Sequence, residues 1–264
     1  MQEDATVIEL NPAAAGDTAH EPAAQREAGT VRVAAIGDVH VHETASNPYR
    51  DLFTEISDTA DVLVLAGDLT DFGKTREAEI LAEDLRHCKA PIVAVLGNHD
   101  HECGQPEEVK RILRQAGVCF LGENAHIHKG VGFAGVKGFG GGFGRHMLGA
   151  FGEAATKAFV AEVQQECMHL EIALRSLRTE RKLVVLHYAP IEATVVGEPE
   201  QIYPYLGSSR LAEVIDRFDG VSAVVHGHAH RGAHRGETPK GIPVFNVAAG
   251  ITKEGGRPYA VIEV

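Results

Sequence analysis

Five short apolar runs in this chain each end in a cluster of Asp, Asn and His. They are VRVAAI before Gly37-Asp38-Val39-His40, DVLVLA before Gly67-Asp68, and PIVAVL before Gly97-Asn98-His99-Asp100. KLVVL then runs into His187, and VSAVV into His226-Gly227-His228-Ala229-His230. Their length and β-branched content predict five buried strands. Ligand-type side chains at the carboxyl ends of several strands converge on one crevice of an α/β sheet. The gathered set has carboxylates, an amide and several imidazoles, which suits a pair of hard-to-borderline divalent cations.

Between these runs lie helix-like segments over about 48–58, 74–88, 106–116 and 208–218, with Ser57-Asp58 and Gly117 near plausible helix ends. Segments 118–121, 125–128 and 131–136 read as short strands with no helix between them, and 244–247 and 259–264 as closing strands. Alternating β and α followed by short strands suits two packed sheets with helices outside. The stretch from Phe151 to Arg181 predicts one long helix, or two broken ones, longer than the mean globular helix.

The 264 residues are enough for one domain with a sizeable core. Residues 1–29 are rich in Ala, Pro and acidic groups and predict a flexible acidic tail, with a short ordered piece at Thr6–Leu10. The folded domain is then residues 30–264. A net charge of −12 argues against strong nucleic-acid binding, which needs a basic face. It leaves small anionic substrates open, because bound cations supply local positive charge. Cys88, Cys103, Cys119 and Cys167 form no Cys-x-x-Cys pair and are expected as free thiols in a reducing compartment. No basic start followed by an apolar stretch and no run near ~20 apolar residues is present, so a cytoplasmic protein without membrane attachment is expected.

In order along residues 37–230, the chain carries Asp-x-His, Gly-Asp-x-x-Asp (67–71), Gly-Asn-His-Asp, an isolated His and Gly-His-x-His. This ordered signature resembles that of the calcineurin-like metallophosphoesterases. The resemblance implies a four-layer α-β-β-α sandwich of two mixed sheets with a dinuclear metal site at the carboxyl ends of the strands. It further implies hydrolysis of a small phosphodiester or phosphomonoester, by a hydroxide bridging two divalent ions. Manganese or iron are the first expectations for the metals, with zinc, nickel or cobalt as alternatives.

By the same resemblance Asp38, His40 and His230 would hold the first metal, Asn98, His187 and His228 the second, and Asp68 would bridge them. His99 would act on the leaving group as a general acid or on a phosphoryl oxygen, a role suited to a side chain that titrates near neutrality. Asp100 is expected to orient His99. Asp71 is expected to support a ligand through a hydrogen bond, and His226 to do likewise or to be structural. His42, His101, His126, His128 and His234 are expected at the surface.

Gly138–Gly144 (GFGGGFG) followed by Arg145 and His146 is the most unusual local stretch. It reads equally as a mobile loop that brings Arg145 or His146 to phosphate and as a flexible connection to the long helix. It lacks the Gly-Lys-Ser/Thr ending of a nucleotide P-loop. The segment IYPYLGSS (202–209) reads first as a packed loop, and second as a source of Tyr203 and Tyr205 for stacking on a base or sugar. In this family the 151–181 stretch would be a cap or interface element, and a homo-oligomer is one outcome.

Competing functions follow from the same motifs. A phosphoprotein phosphatase of this fold carries Arg-Gly after the second Asp of Gly-Asp-x-x-Asp, whereas Asp71 is followed by Phe72-Gly73. A nuclease of this fold brings an additional capping domain, for which this chain has little room. A scaffold without chemistry would have lost ligands, and here none is missing.

Overall fold

The computed structural model describes residues 29–122, 124–251, 253 and 256–264. The expected acidic tail, Gly29 apart, lies outside the described residues. Residues Val31–Val264 form one compact unit.

The five runs that end in Asp, Asn or His are all strands. β1 (Arg32–Ile36), β2 (Val62–Ala66), β3 (Ile92–Val95), β4 (Val118–Phe120) and β11 (Ala260–Glu263) make a sheet in the order β11-β1-β2-β3-β4. β5 (His126–His128), β6 (Val131–Val136), β7 (Arg181–Leu186), β8 (Val221–His226), β9 (Arg235–Glu237) and β10 (Pro243–Asn246) make the other, in the order β5-β6-β7-β8-β10-β9. Both sheets are mixed. β11 lies antiparallel to β1, and β5 and β9 lie antiparallel at the two edges of the second sheet. The central strands pair in parallel.

The strands read as continuous apolar runs because both faces of each sheet are covered. On one side of the first sheet, Ala34, Ile36, Leu63 and Leu65 meet α1 (Arg50–Thr59), α2 (Thr75–Leu85) and α3 (Pro106–Gln115). On its other side, Val33, Ala35, Val62, Val64 and Val93 pack against Phe133, Leu183, Val185 and Val225 of the second sheet. The outer face of the second sheet, with Ala134, Val184 and Val224, is covered by α4 (Ala154–Ser176) and α6 (Ser209–Ile215). Four layers, α-β-β-α, result. Each fully buried Val or Leu stabilises them by roughly 1.5–3 kcal/mol.

Within the long Phe151–Arg181 stretch lies one unbroken helix of 23 residues, α4. Val160, Val163, Cys167, Leu170 and Leu174 recur at helical spacing and are buried in the outer cluster of the second sheet. It is a structural layer of the sandwich. The strand β9 carried no sequence signal, since Arg235-Gly236-Glu237 has neither apolar alternation nor β-branched residues. A short helix, α5 (Tyr203–Leu206), stands where 202–209 reads as a loop.

The Gly138–Gly144 segment is not a free loop. Gly141 N–H donates to Pro204 O at 2.7 Å and Gly142 N–H to Gly207 O at 2.9 Å. Ser209 N–H and Leu148 N–H return to Gly142 O and Gly141 O. Paired main chain of this kind holds the segment against 204–209.

Candidate metal centre

The strand order brings the five motif clusters to one edge. β1, β2 and β3 are adjacent in the first sheet, and β7 and β8 are adjacent in the second, so their carboxyl ends face each other across the inner layer. The turns there are tight. Asp38, His40, Asp68 and His228 all adopt positive φ, at 56°, 41°, 49° and 68°. Non-glycine residues seldom occupy that region, and such strain concentrates at functional sites. Gly97 is required by a close approach, since a Cβ there would collide with the Asp68 carboxylate.

Two groups of ligand-type atoms gather. In the first, His230 Nε2 lies 3.0 Å from Asp38 Oδ1 and His40 Nε2 lies 3.5 Å from His230 Nε2. In the second, His187 Nε2 lies 3.3 Å from Asp68 Oδ1 and 2.9 Å from Asn98 Oδ1, with His228 alongside. Asp68 sits between them, its Oδ1 toward His187 and its Oδ2 3.9 Å from His40 Nε2. A third group joins His40, Asp71 and His99.

The donor chemistry of the second group fits a cation. His187 Nδ1–H donates to Ala66 O at 3.0 Å, which fixes the tautomer and leaves Nε2 as a lone pair. That lone pair faces two oxygens, Asn98 Oδ1 and Asp68 Oδ1. On the other side of its ring, toward Asp71, His40 Nδ1 is buried without a hydrogen-bond partner. Convergent buried acceptors of this kind are costly unless a cation joins them.

Electrostatics point the same way. Burial holds His40 and His228 down to about 4, although Asp38 opposes the shift, and burial holds His187 well below the usual imidazole range. All three are therefore neutral and ligand-ready at pH 7. Burial alone would raise Asp38, but the hydrogen bond from His230 and the surrounding imidazoles outweigh it and lower it. Asp68 is pushed well up, first by burial and then by Asp38 and Asp100. A divalent ion against Asp68 would reverse that repulsion.

His99 stands at the rim, its side chain 39 % exposed. Its Nδ1–H donates to Asp71 O at 2.7 Å, so Nε2 points away from that carbonyl, and its ring meets His40 edge-on at 4.5 Å. The expected role of Asp100 needs correction. Its carboxylate is fully buried and accepts from Gly97 N, Leu69 N, Thr70 N and Thr70 Oγ1. It ties the second and third motif turns together and makes no hydrogen bond to the His99 ring. Asp71 approaches His40 instead, Oδ1 to Nδ1 at 3.6 Å, and turns its main chain to His99.

His226 is fully buried with Nδ1 at 2.8 Å from Gly227 O and Nε2 at 2.8 Å from Thr194 Oγ1, so both nitrogens are engaged outside the ligand groups. Arg145 and His146 are exposed, and Arg145 Nε lies 3.1 Å from His146 Nε2. Neither joins the ligand groups among the described residues. The carbonyls of Ala66 and Asp71 orient the rings of His187 and His99, and nothing in a residue's identity announces such a main-chain role. Phe139, Phe159 and Tyr188 also reach the site beside Asn98 and His228; their signal was aromatic content next to the glycine-rich stretch and His187.

The family profile described as calcineurin-like phosphoesterase matches residues 31–232. This chain belongs to the calcineurin-like phosphoesterase family, whose chemistry is metal-dependent hydrolysis of ester bonds. It is 22% identical over 197 residues to a protein of Arcobacter nitrofigilis named probable glycerophosphodiester phosphodiesterase GpdQ. That alignment covers 75% of this chain and 66% of the relative, just under two thirds of the relative's length. Among solved structures, the phosphopantetheinyl hydrolase PptH of Mycobacterium tuberculosis superposes with a TM-score of 0.65 at 13% identity, over 89% of this chain and 96% of that one. Another crystal structure superposes with a TM-score of 0.59 at 16% identity, over 89% of this chain and 95% of that one. These two likenesses establish the fold.

Proposed function

We propose that this protein hydrolyses a phosphoester bond of a small phosphodiester or phosphomonoester at a dinuclear metal centre. Asp38, His40 and His230 would hold one divalent cation, Asn98, His187 and His228 the other, and Asp68 would bridge them. The observation that carries this reading is the Asp68 carboxylate lying between the two ligand groups, with its charge disfavoured as long as nothing cationic is present. Bound there, divalent cations would supply Lewis acidity toward phosphoryl oxygens and make a nucleophile of water near neutral pH.

The chain's own residues do the remainder. Asp71 O fixes the His99 ring through Nδ1–H, so that the imidazolium form can pass its Nε2 proton to the departing oxygen. Ala66 O holds His187 in the ligating tautomer. Asp100 keeps the turns carrying Asp68 and Asn98 in register through its main-chain hydrogen bonds. A diester substrate is supported by the name of the Arcobacter relative. A phosphoprotein substrate is disfavoured by Phe72 in the position of the phosphate-gripping arginine. Manganese or iron are the favoured metals, and a cytoplasmic setting accords with four free cysteines. No helix among the described residues is long and apolar enough to cross a membrane.

A panel of phosphodiesters and phosphomonoesters assayed with manganese-loaded protein tests the reading. Metal-dependent release of alcohol from at least one class is expected. Stoichiometric metal with no turnover across the panel would overturn it.

A further inference from the structure

Beside Asn98 and His228 lies a cleft of about 240 Å³ whose walls are rings. Phe139 comes from the glycine-rich segment, Phe159 from the first turns of α4, Tyr188 from the residue after His187, and Tyr205 from α5. They form a continuous chain of contacts from the metal centre outward. Tyr188 lies 4.4 Å from His228 between ring centroids, Phe139 5.6 Å from Tyr188, Phe159 4.8 Å from Phe139, and Tyr205 6.0 Å from Phe159. Four segments far apart in sequence supply one aromatic lining.

The glycine-rich segment makes this possible. A Cβ on Gly140 would stand 2.5 Å from Pro204 O and 3.1 Å from the tip of the Phe159 ring. Only glycine lets the main chain pass between α5 and α4 while Phe139 is turned into the lining. The stretch that read equally as a mobile phosphate loop and as a flexible connection is part of a wall.

The cleft also excludes. Among the described residues that line it none is acidic, and His228, at the inner end beside Asn98, is the one basic group. Lys137 lies behind the wall, its Nζ 4.8 Å from the Phe139 centroid and 3.8 Å from Glu162. A second phosphate or an ammonium group entering beyond His228 would find no charged side chain on the lining to pair with, which is costly. A flat ring meets π surfaces on several sides, a contact that is favourable and tolerant of ring identity. The volume is below the roughly 300–1,000 Å³ of a drug-sized pocket, so it suits one ring rather than an entire nucleotide.

We propose that the cleft is the specificity subsite of this enzyme, and that its substrate is a phosphate ester carrying a planar aromatic ring close to phosphorus. The inference rests on the hydrolase reading above and names its substrate class. Tyr205 is 62 % exposed, at odds with ordinary core packing and in keeping with a wall that a substrate completes.

Four diesters with the same trifluoroethoxide leaving group, which carries no ring, test this on manganese-loaded protein: the methyl, cyclohexylmethyl, benzyl and thymidin-5′-yl esters. The benzyl ester should exceed both the methyl and the cyclohexylmethyl ester in kcat/KM by about tenfold or more, mainly through KM. Thymidine ahead of benzyl assigns the ring to a nucleobase; the reverse order assigns a simple aryl group. Phe159→Ala and Tyr205→Ala should each bring the benzyl-to-methyl ratio to within about threefold of unity. Calorimetry supplies a readout without turnover: benzylphosphonate should bind about tenfold tighter than methylphosphonate, and Phe159→Ala should erase the difference. Turnover of all four esters at similar kcat/KM, with equal phosphonate affinities, overturns the subsite and leaves the hydrolase reading standing. Turnover of none overturns the hydrolase reading, and the phosphonate pair then decides the subsite alone.

Discussion

The ring of His99 is held by the main chain of Asp71, with Nδ1 2.7 Å from its carbonyl oxygen, and not by the carboxylate of the neighbouring Asp100. A backbone carbonyl cannot be removed by mutating a side chain, so the orientation of His99 should survive most substitutions around it. In the proposed role of proton donor, His99 should matter most when the leaving group is poor. His99→Ala is expected to lose about 10²–10⁴-fold on an alkyl or ribosyl phosphodiester and much less on a nitrophenyl ester. Metal content should stay unchanged. Equal losses on both esters would assign His99 to binding phosphate.

Asp100 is predicted to be a stability residue. Its buried carboxylate satisfies three main-chain N–H groups and the Thr70 hydroxyl, joining two motif turns. Asp100→Ala leaves those donors unpaired in the interior, at about 1–3 kcal/mol for each buried group that finds no water. A fall in chemical-denaturation stability of roughly 2–5 kcal/mol is expected. An unchanged denaturation midpoint together with lost turnover would return Asp100 to the catalytic group.

Ligand substitutions should act on metal before fold. His187→Ala and Asn98→Ala are predicted to weaken one of two ions and to abolish most hydrolysis, because Nε2 of His187 and Oδ1 of Asn98 converge on one point. Elemental analysis after desalting reads the first effect and thermal melting checks the fold. Near-wild-type turnover at saturating manganese in either variant would remove that residue from the ligand set.

The fold was legible in the sequence where local pattern and tertiary role coincide. Runs such as VLVLA are apolar on both faces because helices cover one and the second sheet the other, and that alone predicts a buried strand. The same motif spacing brought Asp38, His40, Asp68, Asn98, His187, His228 and His230 forward by residue type, and the structure gathers them at one edge. What was not legible depends on main-chain atoms and on partners distant in sequence. Asp100 looked like a companion of His99 because it is the next residue, but the short 3-10 turn at His99–His101 sends adjacent side chains in different directions. The Phe139–Phe159 contact joins a loop to a helix face, and glycine content alone could not tell a mobile segment from a pinned one.

The metal-free protein should be labile to acid. His226 is held down to about 4 by burial, against an ordinary value of 6.5. Below pH 6.5 the unfolded chain takes a proton that the folded chain refuses. The stability this group contributes is therefore full above about 6.5 and lost as pH falls through about 4, up to about 3 kcal/mol. Urea midpoints of chelator-treated protein should drop between pH 7.5 and pH 4.5, and His226→Gln should flatten that slope. A steeper slope in the variant would show that His226 is protonated in the fold.

The central claim is that two metals meet at Asp68, and metal stoichiometry in wild type and Asp68→Asn tests it most directly. Protein saturated with manganese and desalted should carry two ions per chain by elemental analysis, with two anomalous peaks flanking the Asp68 carboxylate in a crystal. Asp68→Asn should retain at most one, with its melting temperature in chelator raised or unchanged, since the buried like-charge repulsion is gone. A wild-type chain that holds a single ion at saturation, or an Asp68→Asn chain that keeps both with unchanged affinity, contradicts the account.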